Sequence, residues 1–436
     1  MYREISKLIM YGDMDKDCIL YQFGEIFRHY ENKTKDQAQL IQDIYTQVKR
    51  LLVVATDYGF DHNLWHNYLA FYLVTNENPF SITCEKVGAN DGSVNHFAKN
   101  DFAVIKNLFD YDFSKIEEDL GIDCFSQLSD YHAIQKKELM YNKNVSEKII
   151  ALSAQLEAAE DVDAFFAAVT GFYKDYGVGM FGLNKAFRIK EKDGGDVEFV
   201  AINNMDKVML DDLIGYEIQK KKLVDNTKAF VEGRAANNVL LFGDSGTGKS
   251  TSIKAIVNEF YPDGLRMIEI YKHQFKDLSN VIASIKNRNY KFIIYMDDLS
   301  FEEFEIEYKF LKAVIEGGVE TRPDNILIYA TSNRRHLVRE KSSDKLEIMD
   351  DDDLHSSDTV QEKLSLVYRF GVRIYYGAPS KKEFQTIVKA LAERNGITMP
   401  EDELLLEANK WELSHGGLTG RTAQQFIDHL LGVEKE

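Results

Sequence analysis

The apolar residues in the first half of the chain recur every three or four positions, which is the spacing of one face of an α-helix. This pattern predicts helices over residues 36–56, 64–74, 102–108, 145–156 and 162–173. The period then changes to two on either side of Asp193-Gly194-Gly195, which predicts a β-hairpin built from residues 186–190 and 197–201. Residues 1–205 are therefore expected to form a mostly helical N-terminal domain with a β-hairpin, and no motif in them indicates a role.

From about residue 206 onward, short and continuously apolar runs alternate with helical stretches. The runs lie at 239–242, 267–271, 292–296, 326–330 and 372–376. Strands that are apolar throughout and separated by helices are typical of a parallel sheet covered on both faces. We therefore expect an α/β core of five parallel strands over 206–377. The pattern is helical after residue 377, over 381–394, 401–413 and 421–431, which predicts a small helical domain over 378–436.

Composition narrows the class of protein. A chain of 436 residues with 44% hydrophobic residues exceeds one core and indicates two or three folded domains. Its net charge of −18 disfavours nucleic acid as a general partner, although a local basic patch is compatible with it. The three cysteines have no C-x-x-C spacing, and the N-terminus lacks the apolar segment of a signal peptide. With no apolar run of about 20 residues to span a membrane, a cytoplasmic protein is expected.

The strongest motif follows the run at 239–242. Gly243-Asp244-Ser245-Gly246-Thr247-Gly248-Lys249-Ser250 fits G-x-x-x-x-G-K-[ST], the phosphate-binding P-loop, with a predicted strand before it and a helix after it. Its glycines let successive N–H groups point at an anion, and the helix adds the positive end of its dipole. Lys249 would meet the β- and γ-phosphates, and the Ser250 hydroxyl can ligate Mg²⁺. The predicted cofactor-binding residues are Gly243, Asp244, Ser245, Gly246, Thr247, Gly248, Lys249, Ser250 and Thr251.

Polar residues also end the strands that follow the loop. Asp297 and Asp298 come directly after the run at 292–296, and Asn333 follows the run at 326–330. Beside a bound nucleotide, Asp297 would order Mg²⁺ together with Ser250, and Asp298 would orient and deprotonate the attacking water. Asn333 would hold that water or the γ-phosphate. The structural alternatives are an aspartate pair that caps a loop and an asparagine that forms a turn.

Two arginines are further candidates. Arg369 precedes the last predicted strand and could act as an arginine finger, whereas Arg421 opens the last helix and could reach the phosphates. The alternatives are a solvated surface arginine and an interhelical ion pair. His62 and His66 are four residues apart, but Asn63 stands where the zinc-protease pattern requires Glu. We expect these two histidines to be structural.

Taken in chain order, these motifs resemble those of the AAA+ ATPases. The resemblance implies a five-stranded sheet in the order 5-1-4-3-2 followed by a helical lid. It implies that Asn333 is sensor 1, that Arg369 acts on a neighbouring subunit of a homo-oligomer, and that Arg421 is sensor 2. Gly215 and Tyr216 would line the adenine pocket. More narrowly, residues 214–216, 226–227, 297–302 and 419–423 are similar to an uncharacterised bacterial group of P-loop ATPases described as a domain of unknown function.

The chain departs from the AAA+ pattern at Asp298, where most members have Glu. The aspartate side chain is one methylene shorter, and a positional error of about 1 Å can cost about 100-fold in rate, so slow hydrolysis is expected. Glu302 and Glu303 are alternative bases. The segment after Asn333 contains Asp350-Asp351-Asp352-Asp353, which is typical of a solvated loop, with a partner-facing segment as the alternative.

These observations favour an Mg²⁺-dependent ATPase that couples hydrolysis to the remodelling of a macromolecular partner. The alternative is a nucleotide-gated scaffold or regulator that hydrolyses ATP slowly; Asp298 favours this alternative, and the set Asn333, Arg369 and Arg421 favours the first. A GTPase is disfavoured because the chain has no N-K-x-D motif. A small-molecule kinase would not need an arginine from a neighbour. The sequence does not identify the partner.

Overall fold

The computed structural model describes residues 1–133, 143–191, 197–203, 205–300, 307–316, 323–333 and 366–433. The chain divides into two compact units, Met1–Asn184 and Lys185–Glu436. The predicted hairpin was counted with the N-terminal domain, whereas the structure places it in the second unit. The predicted boundaries at 205/206 and 377/378 remain predictions.

The first unit is helical, as its three/four apolar periodicity predicted. The predicted helix at 36–56 corresponds to Gln37–Tyr58, where the Asp36 side chain caps the first turn and Gly59 ends the last in a left-handed conformation. The helices are α1 (Tyr2–Ile5), α2 (Ile19–Glu31), α3 (Gln37–Tyr58), α4 (Leu64–Thr75), α5 (Pro79–Val87), α6 (Val94–Phe109), α7 (Ser114–Leu120), α8 (Cys124–Ser129), α9 (Lys143–Glu157), α10 (Val162–Tyr176) and α11 (Gly179–Leu183).

Aromatic side chains and a few satisfied polar groups fill the core of this unit. The hydroxyls of the buried Tyr11 and Tyr173 lie 2.7 Å apart, and Tyr173 also donates to the carbonyl of Leu73 over 2.7 Å. The fully buried Asp101 accepts backbone N–H groups from Ile9, Met10 and Tyr11. These bonds satisfy polar groups that would otherwise be costly to bury, and they tie the N-terminal segment to α6.

The two histidines do not lie on one helix. His62 precedes α4 with a φ of 63° and exchanges backbone hydrogen bonds with Tyr131. His66 lies inside α4, where its Nε2 is 2.9 Å from the carbonyl oxygen of Phe109. Each histidine therefore has a structural position of its own, and the described residues contain no cluster of side chains suited to a metal ion.

Within the described part of the second unit, seven strands form one sheet in the order β2-β1-β4-β5-β6-β3-β7. The prediction of a five-stranded sheet in the order 5-1-4-3-2 is therefore wrong in its strand number. The strands β3 to β7 lie in the order β7-β3-β6-β5-β4, and the hairpin extends the sheet beyond β4. The strands are β1 (Ala186–Glu191), β2 (Val197–Ala201), β3 (Val239–Gly243), β4 (Leu265–Glu269), β5 (Lys291–Met296), β6 (Ile326–Ser332) and β7 (Val372–Tyr376).

The hairpin joins the sheet because β1 has a second partner. Its residues 186–188 pair in parallel with residues 267–269 of β4, while β2 pairs antiparallel on its other side. Ala186 and Phe187 are fully buried by this pairing, whereas β2 remains half exposed at the edge. Because β1 pairs with it, β4 is not an edge strand, and its backbone groups on that side are not left unpaired.

Helices cover the sheet and continue after it. They are α12 (Glu217–Val231), α13 (Lys249–Phe260), α14 (Leu278–Ile285), α15 (Glu307–Glu316), α16 (Lys381–Arg394), α17 (Glu401–Ser414) and α18 (Gly420–Val433), with 3₁₀ turns at Leu210–Asp212 and Lys272–Asp277. We call α16, α17 and α18 the lid helices. They share a core of their own that includes Phe384, Leu404 and Phe426. None of the described helices has both the length and the apolar content needed to cross a bilayer.

Candidate functional site

The predicted phosphate-binding loop joins β3 to α13 with the backbone that its glycines allow. Gly246 and Gly248 have φ values of 74° and 90°, in the left-handed region that favours glycine. Gly243 has a φ of 132°, and a Cβ built on it would lie 2.2 Å from the carbonyl oxygen of Tyr376. The close approach of β7 therefore requires glycine at the start of the loop.

Lys249 is the first residue of α13, where the loop meets the helix, and it is only 6% exposed. Its Nζ donates to the carbonyl oxygens of Gly243 and Asp244 over 3.0 and 2.6 Å, and to Oδ1 of Asn333 over 2.9 Å. Burial lowers the pKa of Lys249, an effect that the nearby carboxylates of Asp244 and Asp298 oppose. A negatively charged ligand at the loop would favour the charged ammonium.

Ser250, Asp297 and Thr331 form a second group beside the loop. The Ser250 hydroxyl donates to Asp297 Oδ1 over 2.7 Å, and the Thr331 hydroxyl donates to the same oxygen over 2.5 Å. Burial raises the pKa of Asp297, but the hydrogen bonds from the Thr331 and Ser250 hydroxyls help to outweigh burial and leave the pKa below its ordinary value. A charged carboxylate next to a hydroxyl is a donor set that suits Mg²⁺.

Asp298 adopts a left-handed backbone conformation with a φ of 49°. Aspartate and asparagine tolerate this region better than other residues that have a Cβ. The Asp298 N–H donates to Thr331 Oγ1 over 2.9 Å, and its Oδ1 accepts from Nδ2 of Asn333 over 2.9 Å. Asn333 therefore contacts both Lys249 and Asp298 and joins the two ends of the site.

The predicted residues do not all lie in one place. The loop residues 245–251 line a cleft of about 900 Å³ together with Asp297, Asp298, Asn333 and Arg421. Arg421 enters at the start of α18, where its N–H donates to the carbonyl of Gly246 over 3.2 Å. Arg369 is not among the described residues that line the cleft. It is an exposed residue shortly before β7. Glu302, Glu303 and residues 350–353 lie outside the described residues.

Gly215 and Tyr216 come just before α12, both with positive φ values. The Tyr216 ring lines the cleft and stacks on Tyr376 with centroids 5.1 Å apart, and its hydroxyl donates to the carbonyl of Gly377 over 2.9 Å. Burial raises the pKa of Tyr216 to about 12. Gly215 itself is not a lining residue, although its neighbours Ile214 and Tyr216 are.

Sequence reasoning missed most of the apolar lining of the cleft. Four apolar lining residues are ordinary core types that no motif marks: Val208, Leu213, Ile387 and Leu391. Ile214, which also lines the cleft, lies in the segment 214–216 on which the resemblance rested. Arg394 lines the cleft as well and donates to the carbonyls of Asp211 and Asp212, which connects α16 to the segment before α12. Thr331 was missed as well, although its place at the end of β6 next to Asn333 was a usable signal.

One family model matches more than half of the chain. Residues 183–434 match the model described as "Protein of unknown function (DUF815)". The chain belongs to this family. The match confirms the resemblance to a group described as a domain of unknown function, and it covers the sheet, the phosphate-binding loop and all of the lid helices. No curated protein matches the chain.

Solved structures with a similar fold include a variant of RuvB from Thermotoga maritima, at 18% identity and a TM-score of 0.36 over 53% of this chain and 67% of that one. The FIGL-1 AAA domain in complex with ADP is similar at 19% identity and a TM-score of 0.35 over 51% of this chain and 72% of that one.

Proposed function

We propose that this member of the DUF815 family is an AAA+ ATPase that hydrolyses ATP to ADP and phosphate and couples hydrolysis to the remodelling of a macromolecular partner. The observation that carries this proposal is the convergence of Lys249, the Ser250–Asp297 pair and the Asp298–Asn333 pair in one cleft. A cleft of about 900 Å³ is within the size range of nucleotide and cofactor sites, and its lining also includes apolar side chains suited to a base.

The residues beside the loop fit Mg²⁺. Ser250 Oγ and the Asp297 carboxylate would hold the ion, directly or through water. Ser250 lies in the first turn of α13 beside the loop, and the Asp297 carboxylate, which follows β5, is 2.7 Å from its hydroxyl. When bound, Mg²⁺ would polarise the phosphate oxygens and neutralise part of their charge. Thr331 holds the Asp297 carboxylate from the other side and keeps its orientation.

The other residues have separate roles in binding the phosphates and activating water. Lys249 and the N–H groups of the loop bind the phosphates, and Asp298 accepts a proton from the attacking water. Asn333 orients Asp298 through the hydrogen bond at 2.9 Å. Arg421 would meet the phosphates from the side of the lid helices. Arg369 would complete the site of a neighbouring copy, which makes a ring or another head-to-tail homo-oligomer the expected assembly.

The second candidate function is a nucleotide-gated scaffold or regulator in which ATP binding assembles subunits and hydrolysis is slow. One observation favours it. Asp298 has a short side chain on a left-handed backbone and is already hydrogen-bonded to Asn333, so its carboxylate has little freedom to move toward a water. The domain boundaries 1–205, 206–377 and 378–436, the cytoplasmic location and the macromolecular partner are also proposals.

The experiment that tests ATP binding is a titration of the full chain with a fluorescent ATP analogue and Mg²⁺. Lys249→Ala should lose binding, because Lys249 carries the side-chain positive charge that meets the phosphates. Lys254→Ala is the matched control on the same helix, since Lys254 pairs with Asp206. Equal affinity in the wild type and Lys249→Ala, with both proteins folded, would refute the nucleotide site.

A further inference from the structure

Asp244, the second residue of the phosphate-binding loop, makes hydrogen bonds in two directions. Its carbonyl oxygen accepts from Lys249 Nζ over 2.6 Å and from the Thr247 hydroxyl over 2.8 Å, both inside the loop. Its N–H donates to the carbonyl of Tyr376 over 2.9 Å, and its Oδ2 accepts from the N–H of Ala378 over 2.7 Å. Asp244 is one of the predicted cofactor-binding residues, but it is not among the described residues that line the cleft. Its carboxylate is bonded to Ala378, so a substitution that removes the carboxylate leaves the N–H groups of the loop in place.

Outside the loop, Asp244 contacts Tyr376 at the end of β7 and Ala378 in the connection between the sheet and the lid helices. This connection, residues 377–380, runs from the end of β7 to the start of α16. Ser380 and Glu383 form a capping box that fixes the first turn of α16, and Pro379 has a restricted φ. A change in the direction of α16 therefore falls on Gly377 and Ala378, and we call these two residues the hinge.

The hinge is held at both of its residues. Ala378 is bonded to Asp244 of the phosphate-binding loop, and the carbonyl of Gly377 accepts the hydroxyl of Tyr216, which lines the cleft. Gln219 adds a bond to the carbonyl of Tyr375, just before the hinge. The position of the hinge thus depends on contacts both from the loop and from the segment around Tyr216.

Phosphate binding changes the surroundings of Asp244 in two ways. The phosphates attract the ammonium of Lys249, which otherwise donates to the Asp244 carbonyl at 2.6 Å. They also place negative charge near the Asp244 carboxylate, which is the acceptor for Ala378. Both effects act on a residue whose carboxylate is bonded to the hinge and whose N–H is bonded to Tyr376 just before it, so phosphate occupancy and hinge geometry are linked through Asp244.

We propose that Asp244 is a positioning residue that couples phosphate binding in the loop to the orientation of the lid helices. This inference rests on the proposed function, because it requires a nucleotide at the loop. The coupling is reciprocal by thermodynamic necessity: if ATP changes the hinge, then the position of the lid helices changes the affinity for ATP by the same factor.

The test is hydrogen–deuterium exchange of the full chain, with and without ATP and Mg²⁺, followed in peptides that cover residues 377–394. In the wild type, ATP should change deuterium uptake in these peptides. Asp244→Ala should still bind ATP, with an affinity within about fivefold of the wild type, the factor that one exposed hydrogen bond is worth. Its uptake at 377–394 should no longer respond to ATP, and the amide of Ala378 should exchange faster in both states.

Two further variants make the result specific. Asp244→Asn retains an acceptor for the N–H of Ala378 and should restore the ATP response at least in part. Asp225→Ala makes the same chemical change on the exposed surface of α12, away from the hinge, and should behave as the wild type. A response to ATP in Asp244→Ala equal to that of the wild type would overturn the inference and leave the ATP site intact.

Other outcomes are equally decisive. If Asp244→Ala loses ATP binding, Asp244 belongs to the binding site and not to a link, and the inference is wrong. If Asp244→Asn fails in the same way as Asp244→Ala, the hydrogen bond to Ala378 is not the cause. Absence of ATP binding by the wild type would refute the proposed function itself, and the inference with it.

Discussion

Lys249 of the phosphate-binding loop donates a hydrogen bond of 2.9 Å to Asn333, the residue that follows β6. The amide nitrogen of Asn333 donates in turn to Asp298 over 2.9 Å. An amide is suited to this position because it offers one acceptor and one donor at the same time. The phosphate-binding lysine and the proposed base are therefore joined through a single side chain.

Replacing Asn333 with Ala should impair chemistry more than binding. The substitution removes the partner that orients Asp298, and a misplacement of about 1 Å costs about 100-fold in rate. We expect kcat to fall by about that factor, whereas KM for ATP should change much less because Lys249 and the loop remain. Steady-state kinetics over a range of ATP concentrations separates the two parameters. An increase in KM with kcat unchanged would assign Asn333 to ground-state binding.

Asp298→Asn should bind Mg²⁺ and ATP but lose turnover, because an amide cannot accept the proton of the attacking water. Asparagine tolerates the left-handed backbone at this position, so the fold should be retained. Loss of a general base typically lowers the rate by about 10²–10⁴-fold. The check combines ATP titration with single-turnover hydrolysis. If turnover survives in this variant, Glu302 or Glu303 becomes the better candidate.

The lowered pKa of Asp297 predicts how its contribution to stability depends on pH. A carboxyl group whose pKa is lower in the folded state stabilises the fold above its ordinary pKa of 3.8, and this stabilisation is lost as the pH falls through the folded-state value. The difference in unfolding free energy between the wild type and Asp297→Asn should thus be constant between about pH 5 and 7 and shrink below pH 3.8. Urea unfolding at several pH values measures it. A difference that grows on acidification would contradict the assignment.

Gly243→Ala should destabilise the second unit by about 1–3 kcal/mol more than Gly264→Ala. Both glycines have positive φ values, so both substitutions introduce backbone strain. Only at Gly243 would the new Cβ meet a backbone atom, the carbonyl oxygen of Tyr376 at 2.2 Å, whereas nothing lies within 4 Å at Gly264. Denaturant unfolding of both variants provides the comparison. Equal losses would mean that β7 moves aside at little cost.

Strands β3, β5 and β6 were predictable because each buries an almost continuous apolar run. β7 matches its predicted bounds, and β6 extends the predicted 326–330 by Thr331 and Ser332. These two residues are polar but buried, so the end of the apolar run was mistaken for the end of the strand. The pairing of β1 with β4 could not be predicted, because the periodicity of a strand indicates which side chains are buried and not what covers them.

Only part of the candidate site was predictable from the sequence. Phosphate-binding loops use particular residue types at fixed spacing, and Lys249, Ser250, Asp297 and Asn333 lie together as expected. The apolar lining was not predictable, because Ile387 is far along the chain from Val208 and Leu213 and all three resemble any core residue. Their common position depends on tertiary packing, which a local pattern does not record.

The proposed head-to-tail ATPase depends on Arg369 acting in the site of a neighbouring copy. A finger from a neighbouring copy neutralises charge in the transition state and is worth about 10³–10⁵-fold in rate, so Arg369→Ala should bind ATP almost normally and hydrolyse it poorly. Arg373→Ala is a suitable control, because Arg373 is an exposed arginine on β7 that packs over Tyr368. A loss of activity in Arg373→Ala as large as in Arg369→Ala would indicate a general effect of charge on this surface.

Steady-state ATP turnover per subunit should therefore be measured over a wide dilution series, for the wild type and for a mixture of Arg369→Ala with Lys249→Ala. We expect wild-type turnover to rise with protein concentration. We also expect the mixture to regain part of the activity that each variant lacks alone, because each supplies what the other has lost. Turnover per subunit that is flat across the series, together with a fully active Arg369→Ala, would show that ATP is not hydrolysed at a site shared between copies.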